Sequence, residues 1–256
     1  MKTTLLSLLL LLSSHNAFAC YDESLSDKTN FDSCAAEAKQ GSAPAQNNLG
    51  FMYHTGKGAT QDYKEAVKWY RKAAEQENVF AQYSLGFMYR FGEGVAQDYK
   101  EAVKWYRKGA EQGDADAQFD LGSMYDKGTG VTQDYKEAVR WYRKAAEQED
   151  ASAQSNLGFM YHTGKGVTQD YKEAVKWYRK AAEQEDVFAQ YSLGFMYRFG
   201  EGIAQDYKSA HMWWKIAAAN GYSDAAENRD LITKEMTPSQ IEKAQDMARE
   251  WMAKHQ

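Results

Sequence analysis

The sequence predicts an all-α solenoid, in which five copies of a 36-residue helix pair are closed by a capping segment at each end. Three observations predict it. Trp69, Trp105, Trp141, Trp177 and Trp213 stand 36 residues apart, and Gly50, Gly86, Gly122, Gly158 and Gly194 keep the same interval. Within each interval, apolar residues at helical spacing are followed by a glycine-rich break and then by a second such stretch. Self-similarity at this period marks stacked repeats, each burying its apolar face only against its neighbours.

Residues 1–19 read as a secretory leader: Lys2, an apolar run from Leu5 to Leu12, and the small-x-small cleavage pattern Ala17-Phe18-Ala19. The run is shorter than the roughly 20 residues a membrane-spanning helix needs, so the expected product is exported, periplasmic or secreted. It would begin at Cys20, and Cys34 is the only other cysteine. Two readings of Cys20 stand at this point. One is a Cys20–Cys34 disulfide, which would stabilise the chain by about 3 kcal/mol. The other is a lipid anchor on Cys20, which Phe18 in the cleavage region fits poorly. Residues 20–41 form the N-terminal cap, because Phe31 to Gln40, with Ala35, Ala36 and Ala38, resembles the second half of a repeat.

The first repeat occupies residues 42–77. Its helix A runs from about Ala43 to His54, with Ala45, Leu49, Met52 and Tyr53 on the inward face. Gly50 lies inside that helix at a cost of about 1 kcal/mol relative to alanine, which predicts close helix contact. The loop Thr55-Gly56-Lys57-Gly58 ends the helix with residues that tolerate positive φ. Helix B opens at Asp62, read with Glu65 as a capping box, and runs to about Gln76. Tyr63, Ala66, Val67, Trp69, Tyr70, Ala73 and Ala74 are its apolar side, and Lys64, Lys68, Arg71 and Lys72 read as a solvated outer face. Further repeats follow at 78–113, 114–149, 150–185 and 186–221. In the fifth, the outward Lys68 and Lys72 of the first become Met212 and Ile216, which predicts a seat for terminal helices. Residues 222–256 supply these: a degenerate sixth helix A near Asp224 to Thr233, then a helix opened by Thr237-Pro238-Ser239-Gln240 with Ile241, Ala244, Met247, Ala248, Trp251 and Met252 on one face.

The formal net charge of −5 is small and basic residues are interleaved with acidic ones, which argues against a nucleic-acid partner. No serine is followed three residues on by lysine, no G-x-S-x-G elbow occurs, and the loop after His54 lacks the spacing of a phosphate-binding loop. His54 and His162 are three repeats apart, roughly 30 Å if helices pack at their usual spacing, so they are not expected to share a metal. His211 takes the place of Val67 and reads as a packed residue. The expectation is no enzyme, no cofactor and no metal.

The pattern A-x-x-x-L-G-x-x-Y-x-x-G-x-G, then D-x-x-x-A-x-x-W-Y-x-x-A-A, is carried by Ala45, Leu49, Gly50, Tyr53, Gly56, Gly58, Asp62, Ala66, Trp69, Tyr70, Ala73 and Ala74. It resembles the Sel1-like repeat, a relative of the tetratricopeptide repeat, over about residues 31–233. The resemblance implies a right-handed α/α superhelix acting as a protein-protein interaction adaptor, with exported bacterial members linked to host contact or envelope processes. Some cysteine-rich bacterial members of the family are described as binding or hydrolysing β-lactams, which makes a cell-wall or β-lactam hydrolase the alternative. Those relatives carry paired cysteines in each repeat, and these repeats have none.

A second stripe on helix A varies between copies where the core positions do not. In copy two it reads Phe80, Tyr83, Phe87, Arg90 and Phe91; in copy one Pro44, Asn47, Phe51, His54 and Thr55; in copy three Asp116, Phe119, Ser123, Asp126 and Lys127. In helical-repeat superhelices the A helices line the concave surface, so this stripe is the expected face for a peptide or protein partner, and its aromatic and arginine content suits a binding hot spot. Residues 46–99 recur as 154–207 with four changes, so the set appears again as Phe188, Tyr191, Phe195, Arg198 and Phe199, which would allow two-site binding. Tyr83 and Arg90 are the preferred anchors; Phe80 and Phe87 could equally pack against the next repeat.

Overall fold

A computed structural model describes residues 20–255. The leader read at residues 1–19 lies outside the described residues. These are helical throughout: α1 (Asp27–Lys39) precedes five A/B pairs, α2 (Ala43–Thr55) with α3 (Tyr63–Glu75), α4 (Val79–Phe91) with α5 (Tyr99–Glu111), α6 (Ala115–Lys127) with α7 (Tyr135–Glu147), α8 (Ala151–Thr163) with α9 (Tyr171–Glu183), and α10 (Val187–Phe199) with α11 (Tyr207–Ala219). Then come α12 (Ser223–Thr233) and α13 (Pro238–Lys254). The expected all-α solenoid of five repeats is the observed fold class, and no helix among the described residues is long and apolar enough to cross a membrane. The described residues fall into two compact units, one running through Met124 with Gly128–Thr132, the other comprising Tyr125–Lys127 and the residues from Gln133 on.

Local chemistry explains the element boundaries. Asp62, Asp98, Asp134 and Asp170 cap the B helices, each accepting hydrogen bonds from the amides two and three residues on. The reciprocal half expected of Glu65 is replaced by a surface pair, with Lys68 Nζ 3.0 Å from Glu65 Oε1. Among the described residues the full capping box forms where Thr237 and Gln240 open α13. The close contact expected at Gly50 is with Tyr70: a Cβ on Gly50 would lie 2.7 Å from that ring. The turn from B to A was not read from the sequence. Its left-handed position is glycine at Gly41, Gly113 and Gly221 but Glu77, Glu149 and Glu185 elsewhere, with φ of 64°, 67° and 65°. Each such glutamate costs about 1 kcal/mol in backbone strain.

A buried ladder also escaped the sequence reading. Gln82 donates to the Ala74 carbonyl of the preceding B helix at 3.3 Å, while its own carbonyl oxygen accepts from Gln112 at 2.8 Å. Gln46, Gln154 and Gln190 repeat the arrangement. One glutamine side chain thus ties three helices, adding a second donor to a carbonyl that already accepts an amide of the turn, as Ala74 does from Glu77 at 3.1 Å. The signal was present, since glutamine follows the first core alanine in all five copies.

Both ends are closed. Cys20 and Cys34 form a disulfide, packed with Ala38, Ala45, Leu49 and Met52. The lipid-anchor alternative needs the Cys20 sulfur that this bond occupies. At the other end Met212 and Ile216 are buried with Ala248, and Met247, Trp251 and Met252 of α13 pack over them.

His211 on α11 is only 3% exposed, with Nδ1 lacking a hydrogen-bond partner. Burial, then Arg229 and Lys215, push its pKa down to about 4, with Asp230 opposing. The folded state therefore binds fewer protons than the unfolded one between pH 6.5 and about 4. Stability is full above that window and falls as pH drops through it, by up to about 3 kcal/mol. His211→Val restores the residue of the four other copies and should flatten this dependence. Denaturant titrations at pH 7 and pH 4 check it, and equal acid losses in the two proteins would overturn it.

Candidate partner-binding surface

The A-helix stripe is built by register. On α4 the core positions Leu85 and Met88 are fully buried, and the stripe lies beside them on the same helix. Phe80, Tyr83, Phe87 and Arg90 are half-buried, whereas Phe91 is 52% exposed. The Phe87 and Phe91 rings meet at 4.5 Å between centres, tilted by 46°. On the neighbouring A helix, Phe119 is half-buried.

Tyr83 and Arg90, the preferred anchors, have structural partners. The Tyr83 ring lies 5.6 Å from that of the fully buried Tyr106 on α5. The Arg90 guanidinium pairs with Asp120 of α6, a carboxylate 12% exposed, and lies 5.2 Å from the Phe91 ring centre. Burial alone would lower the guanidinium pKa, but Asp120 and Tyr106 outweigh it and hold it above the usual value. Burial raises the Tyr83 pKa, and the field of Asp120, Asp116 and Asp114 adds to it, with Arg90 opposing. Asp114, the N-cap of α6, is pushed up to about 6 by burial, with Asp120 adding to the rise. Arg90 thus fastens one repeat to the next at the edge of the stripe.

The copied set on α10 meets different neighbours. Where Tyr106 stands in copy two, copy five has Trp214, whose Nε1 donates to the Tyr191 carbonyl at 3.1 Å. Phe195 packs edge-on to Trp214 at 5.2 Å, and Tyr191 stacks on Tyr222 at 4.3 Å while accepting from Asn228. Arg198 pairs with Glu235 at 2.8 Å, a carboxylate 45% exposed. Phe188 is 39% exposed and Phe199 59% exposed.

His54 and His162 each bond a glutamate of the next loop, Glu93 at 2.9 Å and Glu201 at 3.0 Å, and so are inter-repeat contacts. Among the described residues no group of three or more His, Cys, Asp or Glu is placed to hold a metal ion. On the B helices, Lys72 lies over Trp69 at 4.2 Å and Lys108 over Trp105 at 4.3 Å, their stems covering apolar surface while their ammonium groups meet water. Arg71 departs from the outer-face reading: it is half-buried and donates to the Tyr89 hydroxyl at 2.6 Å.

Sequence reasoning missed the stripe on α12 and the turn after it, where Asp224, Glu227, Leu231, Lys234 and Glu235 occupy the same register and are all exposed. The 36-residue interval would have found them, but α12 lacks the Leu-Gly signature by which the other A helices were recognised.

The Sel1 repeat pattern matches residues 43–78, 79–114, 115–150, 151–186 and 187–222, one residue later than the boundaries read from the sequence. Among solved structures, a Sel1 repeat protein from Oxalobacter formigenes is 37% identical, with 88% of this chain and 94% of that one aligned at a TM-score of 0.72. The protective antigen c5321 of uropathogenic Escherichia coli, which displays an SLR fold, is 30% identical over 88% of this chain and 64% of its own, with a TM-score of 0.47. A putative Sel1 repeat protein from Klebsiella pneumoniae is 23% identical over 79% of this chain and 99% of its own, at 0.49. Comparison with curated proteins gives no match.

Proposed function

This chain belongs to the Sel1 repeat family, and from that premise we propose that it is an exported binding scaffold that captures a peptide or protein segment on its A-helix stripe. The fold is one of scaffolds generally used for protein contact. The observation that carries the assignment to this stripe is the exposure of Phe91 and Phe199, 52% and 59%, at positions that vary between copies. A phenylalanine left in water gains nothing for the fold, whereas an aromatic ring beside an arginine is a common anchor for a partner. Export is part of the proposal, supported by the leader pattern at residues 1–19 and by the Cys20–Cys34 bond, which persists in oxidising compartments. A role in host contact or envelope processes and the absence of catalysis belong to it as well, the latter supported by the missing nucleophile motifs.

The test uses photo-crosslinking side chains placed at Phe91 and Phe199, and separately at Lys68 and Lys176 on the B helices, in envelope and host extracts. Crosslinks are expected from the phenylalanine positions. Phe91→Ser with Phe199→Ser should then weaken capture of the crosslinked partner about tenfold or more, the scale of a hot-spot loss, without changing the melting temperature. If Lys68→Glu and Lys176→Glu abolish capture while the serine variants retain it, the B-helix face is the site.

A further inference from the structure

In the second unit, the stripe changes character across three successive A helices. At the N-terminal end, the register positions hold exposed Ser152 and buried Ser155 on α8, the latter bonded to Asp186, then Phe188 and Tyr191 on α10, and exposed Asp224 and Glu227 on α12. α10 and α12 are direct neighbours, since Tyr191 stacks on Tyr222 and bonds Asn228. The cation of the aromatic helix does not offset these carboxylates, because Arg198 is committed to Glu235. Lys234 stands just past the other end of α12, about 15 Å from Asp224 and about 10 Å from Glu227 along the helix axis. Burial and Tyr222 raise the Tyr191 pKa, and Asp224 and Glu227 add to the rise, so their field reaches the aromatic floor.

The first unit repeats this in part, with one carboxylate after its aromatic helix and Phe119 at the position of Glu227. α6 follows aromatic α4, Asp116 holds the position of Asp224, and Arg90 is balanced internally by Asp120. α6 and α12 lie outside the copied block and differ in sequence, so the carboxylate that follows each aromatic helix was not carried there by the copying of residues 46–99.

Resting on the stripe assignment above, we propose that the captured segment is a cationic peptide in extended conformation, setting an apolar side chain on Phe188 and Tyr191 and a lysine or arginine against Asp224 and Glu227. Packed helices lie about 10 Å apart, and an extended chain advances about 3.3 Å per residue. The apolar and basic residues are therefore about three positions apart. A glutamate at the second position meets two carboxylates that have no cation of this chain close by on their stripe, so charge selects the partner as much as the aromatic floor anchors it.

The full mature chain is probed with an array of decapeptides in a glycine-serine background, in which leucine is followed at intervals of one to six residues by lysine, glutamate or serine. The lysine peptides are expected to bind best at an interval of three, about tenfold better than their glutamate counterparts, with the preference fading as salt rises. Asp224→Asn with Glu227→Gln should reduce that preference to under about threefold, while Glu242→Gln on the exposed side of α13 leaves it unchanged. Equal binding of lysine and glutamate peptides, or a preference that survives neutralisation of Asp224 and Glu227, overturns the proposal. If peptides of every charge bind alike and Phe188→Ser abolishes binding, the stripe assignment stands and the cationic partner falls. Binding that is indifferent to both sets of changes overturns both. If no array peptide binds, the cationic segment is overturned and the crosslinking experiment decides the stripe by itself.

Discussion

Arg90→Ala should lower the stability of the first unit by about 3 kcal/mol, because it leaves the Asp120 carboxylate buried without its guanidinium. The copied position should behave differently. Arg198→Ala is expected to cost under about 1 kcal/mol, since Glu235 is 45% exposed and water replaces the lost partner. Denaturant unfolding of the two variants checks this, and adding Asp120→Ala to Arg90→Ala should recover part of the loss, because the buried charge is then removed. Equal losses at Arg90 and Arg198 would mean that neighbouring helices do not set the role of this arginine. For the same reason Arg90 is a poor choice for testing partner binding, and Phe91 a better one.

The larger effect is expected at the C-terminal end. A chain ending at Met236 loses α13 and exposes Met212, Trp213 and Ile216, now 9%, 5% and 0% accessible. Leaving a methionine and an isoleucine in water costs about 4 kcal/mol between them, and the uncovered apolar face should drive aggregation. The cause can be separated from general damage. Met212→Lys with Ile216→Lys in the truncated chain restores the residues of copy one, Lys68 and Lys72, and should return a soluble, helical protein by light scattering and circular dichroism. Aggregation that persists after both changes would show that α13 does more than cover this face.

Much of the architecture was legible without coordinates, because it rests on short-range chemistry repeated at a fixed interval. The tryptophan and glycine spacing, the capping aspartates and the loop glycines fix the ten helices of the five repeats and their order. Met212 and Ile216 marked a seat for the last helix, since apolar residues replace charge there. His211 in the place of a valine marked a packed histidine.

What the sequence could not rank was the stripe. Phe80 to Phe91 and Phe188 to Phe199 are the same string of residues, yet Tyr83 packs on Tyr106 and Tyr191 on Tyr222, and Arg90 holds a buried carboxylate where Arg198 holds an exposed one. The sequence by itself determined the repeat, its caps and the register of the stripe, because backbone periodicity and capping depend on residues within one or two turns. Only the tertiary structure decided which stripe residues serve the fold and which stay exposed, because burial and charge pairing at each position are set by the neighbouring repeat, whose side chains differ even where the copied residues do not.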